Sequence, residues 1–168
     1  MGLAAAAALG RAGRSATVLE QFEFGHDRGS SHGTARIFKV SYPEPQFVRL
    51  AQESLVRWRE LEDQTGDEIL MMTGMLDVGG IEGRREALKE CGADFEFLAA
   101  AEIERRYGLK IHGDTEGLFQ PDGGVLHADR AQDALIRRAH RRRGRIRDFG
   151  ARARPGRRCA LASELYDK

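Results

Sequence analysis

The sequence predicts an α/β fold. Two observations carry the prediction. An alanine-rich helix former, Gly2 to Leu9, is followed by a short β-branched and apolar run, Ser15 to Leu19, that ends on the acidic Glu20. Beyond it, amphipathic helical stretches alternate with short apolar runs along most of the remaining chain.

The elements follow in order. Gly10 and Gly13 are stop signals for the first helix. Helix, tight turn, strand and terminal acid together make the second half of a dinucleotide-binding βαβ unit. In such a unit a strand leads into a glycine-rich turn whose N–H groups hold a pyrophosphate, and only Gly2 can stand for the last of those glycines. Then comes GSSHGTAR, Gly29 to Arg36, with almost nothing apolar in it. Pro43 and Pro45 break the chain. From Phe47 to Thr65, Phe47, Leu50, Ala51, Leu55, Trp58 and Leu61 recur at helical spacing, which predicts an amphipathic helix with Trp58 in its core stripe.

Ile69 to Val78 holds two apolar runs around Gly74 and predicts strand, turn, strand. Arg84 to Glu90 predicts a short helix, Phe95 to Leu98 a strand, and AAAEIERRYG a helix stopped by Gly108. Gly117 to His127 has strand-like ends around a Pro-Asp-Gly-Gly turn. Ala128 and Asp129 are expected to cap a helix that buries Ala131, Leu135, Ile136 and Ala139. Arg145 to Asp148 reads as one more strand.

Composition narrows the function classes. At 168 residues with 41% apolar and 32% charged residues, the chain matches neither a membrane protein nor a disordered tail. No apolar run reaches spanning length, which argues against a membrane partner. The amino terminus lacks the charged region of a signal peptide, and Ala6 breaks the myristoylation pattern. Cys91 and Cys159 form neither a zinc spacing nor a disulfide framework, so a reducing, cytoplasmic setting is expected and no metal site.

The net charge of +1 hides an asymmetry: residues 1–136 sum to −8 and residues 137–168 to +9. An arginine run of this kind is one signature of nucleic-acid binding, and it defines the alternative reading, a small non-enzymatic domain with a basic C-terminal arm. Base stacking needs interleaved aromatics, and Phe149 is the only one between Arg137 and Arg158. A solvated helix face followed by a divergent tail is the favoured reading, without a nucleic-acid partner.

GSSHGTAR sits where α/β sheets bind ligands, just past the carboxyl end of a strand. Its glycines permit close backbone approach, Ser30 and Ser31 bring hydroxyls, His32 titrates near neutrality and Arg36 is a permanent cation. On these residues alone a solvated loop is the competing reading.

Four stretches carry a resemblance: MGLAAAAALGRAGRSATVLEQF, GSSHGTARIFKVSY, TGMLDVG and QPDGGVLHADRA. In this order they resemble the N-terminal part of the FAD-dependent amine oxidoreductases of the monomeric sarcosine oxidase and N-methyltryptophan oxidase family, in the D-amino-acid-oxidase-like superfamily. The resemblance covers about residues 1–148. It implies an incomplete Rossmann-like FAD-binding domain, its first strand missing, with the start of an α+β substrate domain. The implied division is 1–69 with 117–150 for FAD, 70–116 for substrate, and 151–168 as a divergent basic tail.

The resemblance also implies roles. Gly2, Glu20, Ser30, Ser31 and Arg36 would bind the cofactor FAD, Glu20 through the adenosine ribose. His32 and Arg36 would lie at the flavin ring as catalytic residues, their charge favouring the reduced anionic flavin. Lys39 stands where some members carry an arginine for the substrate carboxylate, and Ala35 replaces a threonine. The implied reaction oxidises a secondary or primary amine of an amino-acid-like substrate such as sarcosine, by hydride transfer to flavin N5. Oxygen then reoxidises the flavin and yields hydrogen peroxide. Neither cysteine lies in the context of a covalent flavin link. The sequence reads as a fragment, so turnover by this chain alone is not expected; an inactive remnant or a complementing chain are the corresponding alternatives.

Overall fold

A computed structural model describes residues 2–22, 24–113, 115–141 and 145–148. The expected tail, 151–168, lies outside the described residues, as do Phe149 and Cys159. In chain order the elements are α1 (Gly2–Arg11), β1 (Thr17–Glu20), β2 (Arg36–Phe38), α2 (Pro45–Thr65), β3 (Leu70–Met72), β4 (Met75–Val78), α3 (Arg84–Glu90), β5 (Glu96–Leu98), α4 (Ala100–Tyr107), β6 (Gly117–Gln120), β7 (Gly124–Leu126), α5 (Ala128–Arg141) and β8 (Arg145–Asp148). The fold is mixed α/β. The chain divides into two compact units, Met1–His32 with Gln132–Lys168, and Gly33–Ala131.

In the first unit, β1 and β8 pair in parallel, from Thr17 opposite Arg145 to Glu20 opposite Asp148. α1 buries Ala6 and Ala7. Gly10 stays inside the helix rather than ending it; the chain turns at Gly13, where φ is +72°.

In the second unit, two antiparallel sheets form, ordered β2-β7-β3 and β4-β6-β5. The segments around Gly74 and around Pro121 to Gly123 do not close hairpins. Instead, β3 continues into β4 and β6 into β7, so two long strands run antiparallel and cross together from one sheet to the other. Leu70 lies opposite Leu126 and Met72 opposite Gly124, while Met75 lies opposite Gln120 and Val78 opposite Gly117. Two residues on one side of the crossing therefore face three on the other, a bulge that bends the ribbon.

Glycine is required there by space. A Cβ on Gly74 would stand 2.5 Å from the Phe119 ring, and one on Gly124 would run into the Met71 carbonyl. The Gly74 N–H donates to the Gly123 carbonyl at 3.0 Å, keeping the ribbon closed through the bend.

The core of this unit gathers Phe38, Val40, Val48, Ala51, Leu70, Ala87, Leu88 and Leu118, with Trp58 packed against it as expected. α2 begins with Pro45 in its first turn and ends at Gly66, whose φ is +74° and whose N–H donates to the Glu62 carbonyl. Its buried line differs from the expected one. Val48, Ala51 and Leu61 are buried, whereas Phe47 and Leu50 are exposed. Apolar residues at 47, 48, 50 and 51 define two overlapping stripes, and packing on the sheets selects the one through Val48. In α5, Ala131 and Ala139 are buried as expected, Leu135 and Ile136 are half-buried, and Ala134 joins the buried line.

Candidate functional site

Each expected site residue has a definite place within its own unit. In the first unit, Gly2 opens α1 beside β1: a Cβ on it would meet Val18 Cγ1 at 4.0 Å. The opening N–H groups of any helix lack intrahelical acceptors, so this end offers donors. Glu20 closes β1. Its Oε1 accepts the Phe22 N–H at 3.0 Å and lies 3.3 Å from His26 Nε2, which fixes the carboxylate at the strand's carboxyl end.

Ser30, Ser31 and His32 follow in an exposed turn. His32 Nδ1 bonds the Gly29 carbonyl. A carbonyl only accepts, so Nδ1 carries the proton and the ring orientation is set. The Ser31 carbonyl accepts from Gln132 Nε2 at 2.5 Å, which ties the turn to α5.

In the second unit, Gly33 has φ +95° and its N–H donates to Asp129 Oδ1 at 3.0 Å. Arg36 starts β2. It is exposed, and its guanidinium donates to the Ala35 carbonyl at 2.6 Å. Lys39 leaves β2 half-buried, with Nζ 5.3 Å from the centre of the Tyr42 ring.

Sequence reasoning missed several of these contacts. β2 itself was unannounced, since three residues after a polar loop carry no periodicity. Asp129 was expected as a helix cap; it lies instead in the first turn of α5, where the His127 carbonyl accepts the Ala131 N–H and the Asp129 carboxylate takes the Gly33 amide. A buried polar group also went unforeseen: Ser41 donates to Asp77, and Arg84 bonds Asp77 at 2.7 Å and Ser41 at 3.2 Å. Ser41 is fully buried and gains its partners from two half-buried charged side chains, while Arg84 Nε has no partner among the described residues.

Within the first unit, the helix N–H groups at Gly2, the carboxylate at Glu20 and the hydroxyls at Ser30 and Ser31 are groups of a kind that bonds phosphate and hydroxyl oxygens. Among the described residues no group of three His, Cys, Asp or Glu gathers to hold a metal ion, and no helix is long and apolar enough to cross a membrane.

Comparison with known proteins identifies the family. The family described as FAD dependent oxidoreductase (DAO) matches residues 1–154. Peroxisomal sarcosine oxidase of Mus musculus is 33% identical over 133 residues, covering 76% of this chain and 34% of its own length. Monomeric sarcosine oxidase of Bacillus sp. (strain B-0618) is 32% identical over 137 residues, covering 77% of this chain and 35% of its own. The chain thus spans about a third of the length of these relatives. Among solved structures, NikD, an amino acid oxidase essential for nikkomycin biosynthesis, aligns with a TM-score of 0.73 at 29% identity, over 87% of this chain and 40% of that one. L-proline dehydrogenase from P. horikoshii shares the fold, with a TM-score of 0.74 at 19% identity, over 88% of this chain and 41% of that one. The chain belongs to the FAD dependent oxidoreductase family, whose members include sarcosine and amino acid oxidases.

Proposed function

We propose that this chain carries cofactor-facing and substrate-facing residues of an amine oxidoreductase acting on a secondary or primary amine of amino-acid type, with sarcosine as the representative substrate. The observation that carries the reading is the polar turn Gly29 to Arg36 following a strand that ends on a fixed carboxylate, Glu20, in a chain of this family. Bound FAD would supply the electron acceptor for the substrate's C–H hydride, with oxygen as the final oxidant and hydrogen peroxide as product.

The residues then divide the work. The start of α1 at Gly2 offers N–H groups to phosphate oxygens, and Glu20 accepts ribose hydroxyls. Ser30 and Ser31 offer hydroxyl donors to the flavin. His32, oriented by Gly29, and Arg36 place positive or titratable charge where negative charge develops on reduction. Lys39 pairs with the substrate carboxylate as a point charge, without the bidentate fork of an arginine. Residues 1–69 and 117–150 serve the cofactor in this reading, 70–116 the substrate, in a cytoplasmic setting.

The test is anaerobic addition of sarcosine to the flavin-loaded chain, followed by air. Loss of the visible flavin band, its return in air and release of hydrogen peroxide support the reading. Because turnover by this chain alone is not expected, binding decides the negative case: bound flavin whose spectrum is shifted by neither sarcosine nor methoxyacetate, a carboxylate of similar size, removes the substrate-facing assignment of these residues.

A further inference from the structure

β2 stops pairing with β7 at Phe38, which lies opposite Gly124. The two residues that follow still need a partner, because Val40 is wholly buried and its N–H cannot reach water. Residues 121–123 leave the ladder at the ribbon's bend and give it none. The side chain of Gln120 does so instead: its Oε1 accepts the Val40 N–H at 3.1 Å, replacing the absent strand acceptor. Gln120 is itself only 1% exposed, and its Nε2 has no hydrogen-bond partner among the described residues. Burying an unspent amide donor is costly, and an apolar side chain of the same length would avoid that cost. The placement makes sense where the oxygen of the amide is needed.

We infer that Gln120 is a positioning residue for Lys39, holding the backbone at Val40 so that the preceding ammonium group stands over Tyr42 and meets a carboxylate. The inference rests on the reading of Lys39 as a carboxylate-binding cation. The next residue is fixed separately, by the Ser41, Asp77 and Arg84 group, so Gln120 acts on the amide nearest Lys39. A side-chain anchor in place of a ladder bond leaves this segment free of a fourth strand while still fixing it.

The test uses the whole chain labelled with 13C-lysine. The sequence has four lysines, and Lys39→Met identifies the Lys39 signal. Two quantities are read: amide hydrogen exchange at Val40, and the shift of Lys39 Cε during titration with sodium methoxyacetate, a carboxylate with no oxidisable amine. Gln120→Met is expected to speed Val40 exchange roughly tenfold and to weaken the Lys39 response about threefold to tenfold. If Gln120→Met does not fold, Gln120→Asn, which draws the carbonyl back by one methylene, carries the same expectation. Faster Val40 exchange with an unchanged Lys39 titration would overturn the inference, leaving a purely structural glutamine. So would a wild-type Lys39 that ignores methoxyacetate. No flavin enters the experiment, so failure here is separate from failure of the chain to hold FAD.

Discussion

The Gly33 N–H donates to Asp129 Oδ1 at 3.0 Å, across 96 positions of sequence. This bond ties the middle of the polar turn to the first turn of α5. Removing the acceptor while keeping the helix is therefore expected to loosen the turn. Asp129→Ala should cost about 0.5–1.5 kcal/mol in urea unfolding and increase proteolysis within residues 29–36, whereas Asp129→Asn, still an acceptor, should behave close to wild type. Equal protection of the turn in both variants would mean that the bond does not order it.

Glu20 gives the second prediction. Its carboxylate is held at the end of β1 by the Phe22 N–H, so a ligand hydroxyl would meet a pre-placed, charged acceptor. Glu20→Ala should weaken FAD binding roughly tenfold to a hundredfold, measured by flavin fluorescence quenching. Glu20→Gln should fall between the two, since it keeps an acceptor without the charge. Unchanged affinity in Glu20→Ala would take this residue out of the cofactor site.

The third concerns acid stability. Glu62 Oε1 accepts the N–H groups of Ile69 and Leu70, each at 2.7 Å, joining the end of α2 to the start of β3. Burial pushes its carboxyl up, but the two backbone N–H groups and the Arg59 guanidinium together outweigh it and hold the group below its ordinary value of 4.5. A lowered carboxyl stabilises the fold fully above that ordinary value and loses the contribution as pH falls further, through the folded value. In urea unfolding, Glu62→Gln should destabilise by about 1–2 kcal/mol at pH near 7, with the difference from wild type shrinking below pH 4.5. A difference that stays constant into acid would contradict the charged-acceptor account.

The bend in the ribbon gives the fourth. A side chain on Gly124 collides with the Met71 backbone, which cannot swing aside as a flexible side chain would. Gly124→Ala should therefore cost about 2–3 kcal/mol, read from the urea midpoint. Gly124 has no positive φ, so the matched control is the same change at Gly29, which also has none and where an added Cβ meets only His26 Cε1 at 3.6 Å.

Much of this architecture was legible in the sequence, and the limits have physical causes. α1, β1 and α2 were readable because local periodicity and stop residues define them. The expected span, Phe47 to Thr65, ends where α2 ends and differs only at its start, Pro45. The rotation of α2 was not readable, since Phe47 and Val48 are equally apolar and only the sheets beneath choose between them. Gly74 and the Pro-Asp-Gly-Gly stretch announced changes of direction. Nothing local distinguishes a hairpin turn from a bulge through which two paired strands pass, because that depends on partners about 50 positions away.

For the candidate site, the residue types of Gly29 to Arg36 were informative by their polarity after an apolar strand. Their supports were not. Asp129 and Gln132 reach the turn from α5, and Gln120 reaches Val40 from β6. Each is a long-range contact made by a residue whose type is ordinary for its place. β2 is illegible for the same reason, as its three residues are a strand only because β7 lies beside them.

The most direct test of the central claim is retention of flavin. The purified chain is mixed with FAD, exchanged into flavin-free buffer, and its visible absorption and circular dichroism are recorded. The account predicts a folded chain that keeps the flavin bands, and a folded Glu20→Ala variant that keeps much less. A folded chain that releases all its flavin would contradict the claim that these residues hold the cofactor.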